Sequence, residues 1–237
     1  MSIAGIVLAA GFSSRMGEFK PLLPIGGRPA LERAACCLLD AGVSDVRVVV
    51  GYRADELIAL LNRLPVTVVV NPRYREGMFS SLVAGVSSFG HPGDDSECMS
   101  AHVHAFFMLP VDVPLVAPRT IRQVSWAFVN HPFPSLVAYP VYGGRRGHPP
   151  LISIALRERI LTFDGEGGMR ALLKQVACEA PERFVDVPVD DPAIHLDMDT
   201  PDDYRALKEQ WGRYEGSPRG PLGIGPSSHV IVRGSAS

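Results

Sequence analysis

The 237-residue sequence lacks several features that would assign it to a large class of proteins. Its four cysteines form no C-x-x-C pair, so we expect reduced thiols that serve packing. Lys and Arg total 23 against 25 Asp and Glu, and no segment clusters them, which argues against a nucleic-acid partner. The early apolar stretch IAGIVLAAG is too short to span a bilayer and has no cationic leader. We therefore expect a cytoplasmic protein without a membrane partner, which binds a small ligand.

Hydrophobic residues make up 46% of the chain, enough to build a substantial core. Along the chain, strand-like apolar runs alternate with helix-like apolar patterns. Unbroken β-branched runs predict buried strands, and 3.6-residue patterns between them predict helices. The strands are IAGIVLA, DVRVVVG and VTVVVN, and the helices are PALERAACCLLDAG and RADELIALLNRL. Strands buried on both faces with helical crossovers are typical of a three-layer, doubly wound α/β fold with a mostly parallel sheet.

The later part of the chain continues this order less regularly. We predict strands in VHAFFML, LVAYP and RFVDVPV, a helix near 78–89, a helix in RTIRQVSWAFVN and a Gly-rich loop in YGGRRGHPP. The last helix is expected to begin at Pro201 with Thr200 as its N-cap. We assign residues 1–212 to one domain and the Gly/Pro/Ser-rich residues 213–237 to a mobile tail.

The first predicted strand leads into the loop LAAGFSSRMGEFKPLLPIGG, residues 8–27. A loop at the carboxyl end of a parallel strand lies where such sheets bind ligands. Gly11 and Gly17 permit positive φ angles, and Arg15 and Lys20 add positive charge, so the pattern favours a polyphosphate ligand. The spacing fits neither a Walker A loop nor the Gly-x-Gly-x-x-Gly dinucleotide motif. The alternative is a solvated loop with two surface cations.

Three aspartates follow predicted strands further along the chain. Asp112 comes after VHAFFML, and Asp197 and Asp199 come after RFVDVPV. Carboxylates at strand ends face the ligand crevice, and oxygen ligands from two strands suit Mg²⁺. The alternative is that Asp112 caps the turn before Pro114 and that Asp199 caps the last helix.

The opening loop resembles the signature loop of the MobA-like nucleotidyltransferases, in particular the branch that transfers a cytidylyl group to molybdopterin. The segments NPRYREGMFSSLVAG, MLPVDVPLV, GRRGHPPLIS, GEGGMRALL and DMDTPDDY extend the resemblance over about residues 3–210. It implies a Rossmann-like nucleotidyltransferase fold and a Mg²⁺-dependent transfer of CMP from CTP to the phosphate of molybdopterin, with release of pyrophosphate. It also suggests a molybdoenzyme as partner.

The resemblance and the loop position together give a set of expected site residues. Arg15, Lys20 and Asp112 are the expected catalytic residues, and Asp112, Asp199 and Asp197 the expected metal ligands in that order. Arg145, Gly147 and His148 are expected at the acceptor site, and Arg146 is a further candidate to hold the acceptor phosphate, although His148 beside Pro149 would also fit a turn brace. The expected nucleotide-binding residues are Leu8, Ala9, Ala10, Gly11, Ser13, Ser14, Arg15, Lys20 and Ser81.

Four positions refine this assignment. The GTP-using branch typically has a second glycine where Ala10 stands, and the added methyl group is expected to favour a pyrimidine base. Val113 stands where the cytidylyl branch usually has Gln, so that side-chain amide is missing. Ser80 and Ser81 are expected to open a helix, either to contact a ligand or only as N-caps.

Two alternative functions remain open from the sequence. The first is a nucleotidyltransferase that uses GTP, or a sugar or alditol phosphate as acceptor. The second is a nucleotide-binding module without turnover that delivers a cofactor to a partner enzyme. The presence of Arg15, Lys20, Asp112 and Asp199 argues against a module without turnover.

Overall fold

A mostly parallel sheet forms the middle layer of the computed structural model, which describes residues 1–89 and 103–215. The strands of this sheet are β1 (Ser2–Ala9), β4 (Asp45–Val50), β5 (Thr67–Val70), β6 (Val103–Pro110), β7 (Val137–Tyr142), β8 (Arg145–Arg146), β9 (Leu151–Ser153) and β10 (Phe184–Pro188), and a separate hairpin pairs β2 (Pro24–Ile25) with β3 (Arg28–Pro29). The spatial order of the sheet is β10, β7, β9, β6, β1, β4, β5, with β8 paired to β7. β9 runs antiparallel to β6 and β7, and β8 runs antiparallel to β7.

Helices cover both faces of this sheet. They are α1 (Ala30–Asp40), α2 (Ala54–Leu61), α3 (Met78–Ser87), α4 (Pro118–Val129), α5 (Arg157–Thr162), α6 (Gly168–Glu179) and α7 (Pro201–Glu215). α1, α2 and α4 pack on one face, whereas α3, α5 and α6 pack on the other. Within the described residues, every helix is too short or too polar to cross a membrane.

Strand β1 shows why its apolar run is unbroken. Val7 and Ala9 belong to the core under α1 and α2, whereas Ile6 and Leu8 belong to the core under α3. Successive side chains of a strand point to opposite faces, so a strand covered on both faces needs apolar residues at every position. The predicted three-layer, doubly wound fold is therefore confirmed.

The segment after β7 differs from the prediction. The Gly-rich stretch predicted to be a loop contains β8, and the antiparallel strand β9 follows it and inserts between β6 and β7. Strands of two and three residues are too short to give a period-2 signal. The sheet is therefore mixed at this point, although its other pairings are parallel.

The start of the last helix is as predicted. The Asp203 backbone N–H donates to Thr200 Oγ1 (3.2 Å), and the Asp203 carboxylate accepts from the Thr200 N–H (2.8 Å), which is a reciprocal capping arrangement. α7 continues to Glu215, three residues beyond the boundary predicted for the domain. The rest of the predicted tail, residues 216–237, lies outside the described residues.

A buried aspartate fixes the segment that leads to α7. The Asp191 carboxylate accepts from Thr120 Oγ1 (2.6 Å) and from the backbone N–H groups of Ala117 (2.9 Å) and Ala193 (3.1 Å). Ala117 and Thr120 belong to the start of α4, so this carboxylate joins α4 to the turn Pro192–His195.

We expect Asp191→Ala to lower the free energy of unfolding by about 2–4 kcal/mol, because it leaves three buried donors without an acceptor. Urea denaturation followed by circular dichroism measures the change. The neighbouring exposed Asp190 gives the matched control, since Asp190→Ala removes no side-chain hydrogen bond seen within residues 1–89 and 103–215. Equal stability of the two variants would contradict the role given to Asp191.

Candidate active site

A cavity of about 450 Å³ lies at the carboxyl ends of β1 and β6. All nine residues predicted to bind a nucleotide line it, and so do Asp112 and Asp199. The structure thus brings the predicted donor site together in one place. The lining also contains residues that sequence reasoning missed, namely Phe12, Pro21, Tyr74, Arg75, Gly77, Met78, Pro110 and Val111.

The loop after β1 reaches this cavity through two residues with positive φ. Gly17 has φ +74°, as predicted, but Ser13 rather than Gly11 adopts the second left-handed conformation, with φ +61°. Ser13 Oγ accepts the backbone N–H of Lys20 at 3.0 Å. This bond holds the start of the short turn Lys20–Leu22 against the loop and directs Lys20 into the cavity.

The charged centre of the cavity is built around Lys20. Its ammonium lies 2.7 Å from Asp199 Oδ1 and 3.7 Å from Asp112 Oδ2, and its side chain is only 9% exposed. Arg15 binds the same Asp199 carboxylate through two nitrogens, at 2.9 and 3.0 Å, from a mostly exposed position. Two cations and two carboxylates from three distant segments therefore meet at one point, and we call these four residues the Lys20 group.

The Asp112 carboxyl group has a raised pKa. Burial is the main cause of this shift; Lys20 opposes it, and the carboxylates of Asp199 and Asp197 add to it. The charged form of Asp112 is therefore costly at this position, mainly because the group is removed from water.

The chemistry of the two carboxylates suits a divalent metal. Asp112 and Asp199 bring hard oxygen atoms to within 3.7 and 2.7 Å of the Lys20 ammonium, and such oxygen atoms are the ligands that Mg²⁺ prefers. In residues 1–89 and 103–215, no group of three or more His, Cys, Asp or Glu side chains is arranged to hold an ion. A metal ion here would take its remaining ligands from phosphate oxygens and water, as Mg²⁺ usually does.

The helix-capping alternative for Asp199 is wrong. Thr200 and Asp203 cap α7, while the Asp199 side chain turns towards Lys20 and Arg15. The same holds for Ser80 and Ser81: α3 begins at Met78 after Gly77, so neither serine is the N-cap.

Both serines lie buried in the first turn of α3, where the Asn71 amide donates to each hydroxyl oxygen, at 3.0 Å for Ser80 and 3.1 Å for Ser81. Ser81 lines the cavity, and Ser80 does not. Asn71 therefore fixes the orientation of Ser81, the member of this pair that lines the cavity.

A second cavity, of about 770 Å³, lies on the other side of a thin wall. Residues 111–113 and 197–199 form the wall, and the Met198 N–H donates to the Asp112 carbonyl at 2.8 Å to join them. Val111, Asp112 and Asp199 face the first cavity, whereas Val113 and Asp197 face the second. Asp197 thus lies apart from the Lys20 group, and Val113 contributes apolar surface where the resembling branch has an amide.

Three of the four residues expected near an acceptor line this second cavity. Gly147 and His148 lie in its wall; of the two arginines expected to hold the phosphate, Arg146 lines the cavity and Arg145 lines neither cavity. A side chain at Gly147 would not fit, because its Cβ would stand 2.6 Å from the Ile194 carbonyl oxygen. Arg146 also pairs with Asp186 at 2.6 Å.

His148 has an unpartnered ring nitrogen beside this cavity. Its Nδ1 is buried and has no hydrogen-bond partner among the described residues. Burial lowers the pKa of His148, and the nearby Asp197 carboxylate opposes this shift. His148 therefore contributes a largely neutral imidazole to the wall of this cavity.

Two further cations on this cavity were not predicted. Arg170 and Lys174 lie one turn apart on α6, and both line the cavity. In the part of the chain that the structure describes, neither makes an ion pair. The helical pattern that begins in GEGGMRALL and continues to Lys174 contained this signal, but the face of α6 that meets the cavity depends on its packing against α3 and the core of the sheet.

Comparisons with known proteins agree with this geometry. The sequence matches the MobA-like NTP transferase domain over residues 5–181. Nicotine blue oxidoreductase from Paenarthrobacter nicotinovorans is 32% identical over 183 residues, which cover 73% of this chain and 82% of that protein. Molybdenum cofactor cytidylyltransferase from Escherichia coli K12 is 28% identical over 207 residues, which cover 87% and 95%.

A solved structure is also similar over nearly its whole length. A nucleotidyl transferase from Methanothermobacter superposes with a TM-score of 0.73 at 26% identity, and the match covers 90% of this chain and 98% of that one. The chain therefore belongs to the MobA-like NTP transferase domain family of nucleotidyltransferases.

Proposed function

We propose that this protein transfers CMP from CTP to the terminal phosphate of molybdopterin, with Mg²⁺ as cofactor, and releases pyrophosphate. The observation that carries the proposal is the position of the Lys20 group at the wall between two cavities. A transferase has to hold a donor and an acceptor on two sides of one reacting centre.

In the first cavity, the loop after β1 holds the triphosphate. Its backbone N–H groups and the side chains of Arg15 and Lys20 supply positive charge. Asp112 and Asp199 would hold Mg²⁺, which when bound neutralises charge on phosphate oxygens.

The reaction needs no general base. An oxygen of the acceptor phosphate forms a bond to the α-phosphorus of CTP, and the bond from that phosphorus to the bridging oxygen of pyrophosphate breaks. No proton has to move, so the main barrier is bringing two anions together. Unit charges about 4 Å apart interact by about 4 kcal/mol at an effective dielectric constant of 20, so the nearly buried Lys20 is worth up to about three powers of ten in rate, and the exposed, more strongly screened Arg15 is worth less.

The size and the charge of the second cavity favour a large, anionic acceptor. It is wider than the donor cavity, and Arg146, Arg170 and Lys174 line it. A small sugar or alditol phosphate would leave most of this volume unfilled. The name of the Escherichia coli relative agrees with a molybdopterin acceptor.

The size of the Ala10 side chain in the donor cavity favours a pyrimidine over a purine base. Ala10 lines the cavity, and its methyl group takes space that a glycine at this position would leave open. A pyrimidine needs less of that space than the larger purine ring.

Redox chemistry is a less well supported alternative, although one relative carries the name of an oxidoreductase. The buried Lys20 ammonium between two carboxylates provides charge compensation for a triphosphate. It provides nothing that hydride transfer requires.

A pyrophosphate-release screen tests the proposal. The four ribonucleoside triphosphates are each incubated with Mg²⁺ and with molybdopterin, a sugar phosphate or an alditol phosphate, and NADH oxidation is monitored in parallel. We expect the highest rate with CTP and molybdopterin. A higher rate with GTP would contradict the assignment of the base, and a higher rate with a sugar phosphate would contradict that of the acceptor. Binding of CTP without pyrophosphate release in any arm would favour the delivery module.

A further inference from the structure

Exposed aromatic rings stand on one side of the donor cavity. Phe12 is 41% exposed and Tyr52 36% exposed, although both are large rings that usually prefer burial. Together with Tyr74 they follow β1, β4 and β5, three neighbouring parallel strands. We call Phe12, Tyr52 and Tyr74 the aromatic shelf. Asp112 follows β6 on the opposite side of β1, so the shelf and the carboxylates lie at two ends of one site.

The shelf is held in place by ring contacts. The Phe12 ring centroid lies 5.1 Å from that of Tyr52 and 5.3 Å from that of Tyr74. The ring of the buried Phe19 packs edge-on against Tyr52 at 5.5 Å. Phe12 therefore has a defined orientation in spite of its exposure, and each ring pair adds to the stability of this arrangement.

The end of β4 is shaped to admit the shelf. A Cβ at Gly51 would stand 2.5 Å from the Cβ of Tyr74, so only glycine permits the close approach of that residue. The Tyr52 N–H donates to the Ala10 carbonyl at 3.1 Å, which ties the shelf to the loop after β1. The rings are thus positioned by the ends of the sheet rather than by a mobile surface loop.

A cation completes the arrangement. The Arg75 guanidinium carbon lies 5.6 Å from the Tyr74 ring centroid and 5.8 Å from that of Phe12. Among the residues that the structure describes, Arg75 has no carboxylate partner. Phe12, Tyr74 and Arg75 all line the donor cavity, so a planar guanidinium and two aromatic rings face the same space.

We infer that Phe12 and Arg75, supported by Tyr74, form a stacking clamp for the nucleobase of the donor. The inference rests on the proposed function in one respect, namely that a nucleoside triphosphate occupies this cavity. A triphosphate held at Lys20 leaves its base to reach the other end of the cavity, where these groups stand. Aromatic and guanidinium planes stack on any base, because each base has a π-face. The clamp therefore adds affinity without selecting one base, and the selection is left to the cavity floor at Ala10.

Binding measurements with and without a base test this inference. The dissociation constants of CTP, GTP and sodium tripolyphosphate are measured by calorimetry in Mg²⁺ for wild type, Phe12→Ala and Phe12→Trp. We expect Phe12→Ala to raise Kd about tenfold for CTP and for GTP, and to leave Kd for tripolyphosphate within about twofold. Phe12→Trp keeps a stacking surface and is expected to bind CTP with an affinity close to that of the wild type. Phe133→Ala, at an exposed ring that lines neither cavity, serves as control.

The outcomes separate the clamp from the function on which it rests. If Phe12→Ala weakens tripolyphosphate as much as CTP, or leaves CTP unaffected, the clamp is wrong although the triphosphate site stands. If the wild-type protein binds CTP and tripolyphosphate with equal affinity, the base adds nothing to binding, and the clamp is again wrong although the triphosphate site stands. A wild-type protein that binds none of the three ligands contradicts the proposed function and the clamp together.

Discussion

Replacement of Lys20 by alanine is expected to lower kcat/KM for pyrophosphate release by about 10²- to 10³-fold, the loss typical of removing one preorganised charge-stabilising group. The Lys20 ammonium is nearly buried between Asp112 and Asp199. Without it, the two carboxylates face the incoming phosphates with no fixed positive charge between them. Arg15 does not replace it, because its side chain is mostly exposed and its charge is more strongly screened by solvent.

Three measurements make this prediction specific. Steady-state kinetics give the rate, and thermal denaturation shows whether the fold is intact. Lys20→Met keeps the length of the side chain without its charge and is expected to lose as much activity as Lys20→Ala. Lys208→Ala, on the exposed surface of α7, is the matched control. Unchanged turnover in both Lys20 variants would remove Lys20 from the reacting centre.

The strand ends that form this centre could be predicted from the sequence. Strands such as β1 and β6 are buried on both faces, so they appear as unbroken apolar runs and their carboxyl ends can be located. Residues that follow those ends meet at one edge of the sheet. This explains why Lys20 and Asp199, which are 179 positions apart in the chain, could be assigned to one site before their contact was known.

Finer choices between neighbouring residues could not be predicted. Arg145 and Arg146 form the two-residue strand β8, in which adjacent side chains point to opposite sides. Only the pairing with β7 decides that Arg146 lies over the Tyr139 ring, at 4.8 Å, and lines the second cavity. A strand of two residues has no alternating pattern that would show which of its side chains faces the cavity.

The pair Asp197 and Asp199 illustrates the same limit. Both aspartates follow a predicted strand in a segment that carries the resemblance, so both were expected beside the metal, Asp199 ahead of Asp197. The segment is irregular here, and it turns Asp197 towards the second cavity and Asp199 towards the first. The aromatic shelf was missed for a related reason, because its members come from three loops whose contacts depend on the finished sheet.

Asp112→Asn is expected to show the second large effect, a loss of about 10²- to 10⁴-fold in kcat, together with a higher Mg²⁺ concentration for half-maximal activity. The amide keeps the shape of the carboxylate but has no negative charge with which to hold a divalent ion. KM for CTP is expected to change less, because Lys20 and Arg15 still bind the triphosphate. Asp190→Asn, at an exposed position that lines neither cavity, controls for the substitution itself.

Stability distinguishes a functional Asp112 from a structural one. The wild-type protein holds this carboxylate in a buried position near Asp199 and Asp197, an arrangement that raises its pKa and makes its charged form costly. Asparagine removes that charge, so Asp112→Asn is expected to unfold at the same or a higher temperature than wild type in metal-free buffer. Structural turn caps behave in the opposite way, because their loss lowers stability. A variant that loses stability while keeping its turnover would therefore identify Asp112 as a structural residue, whereas lost turnover with retained stability is the behaviour expected of a group kept for chemistry.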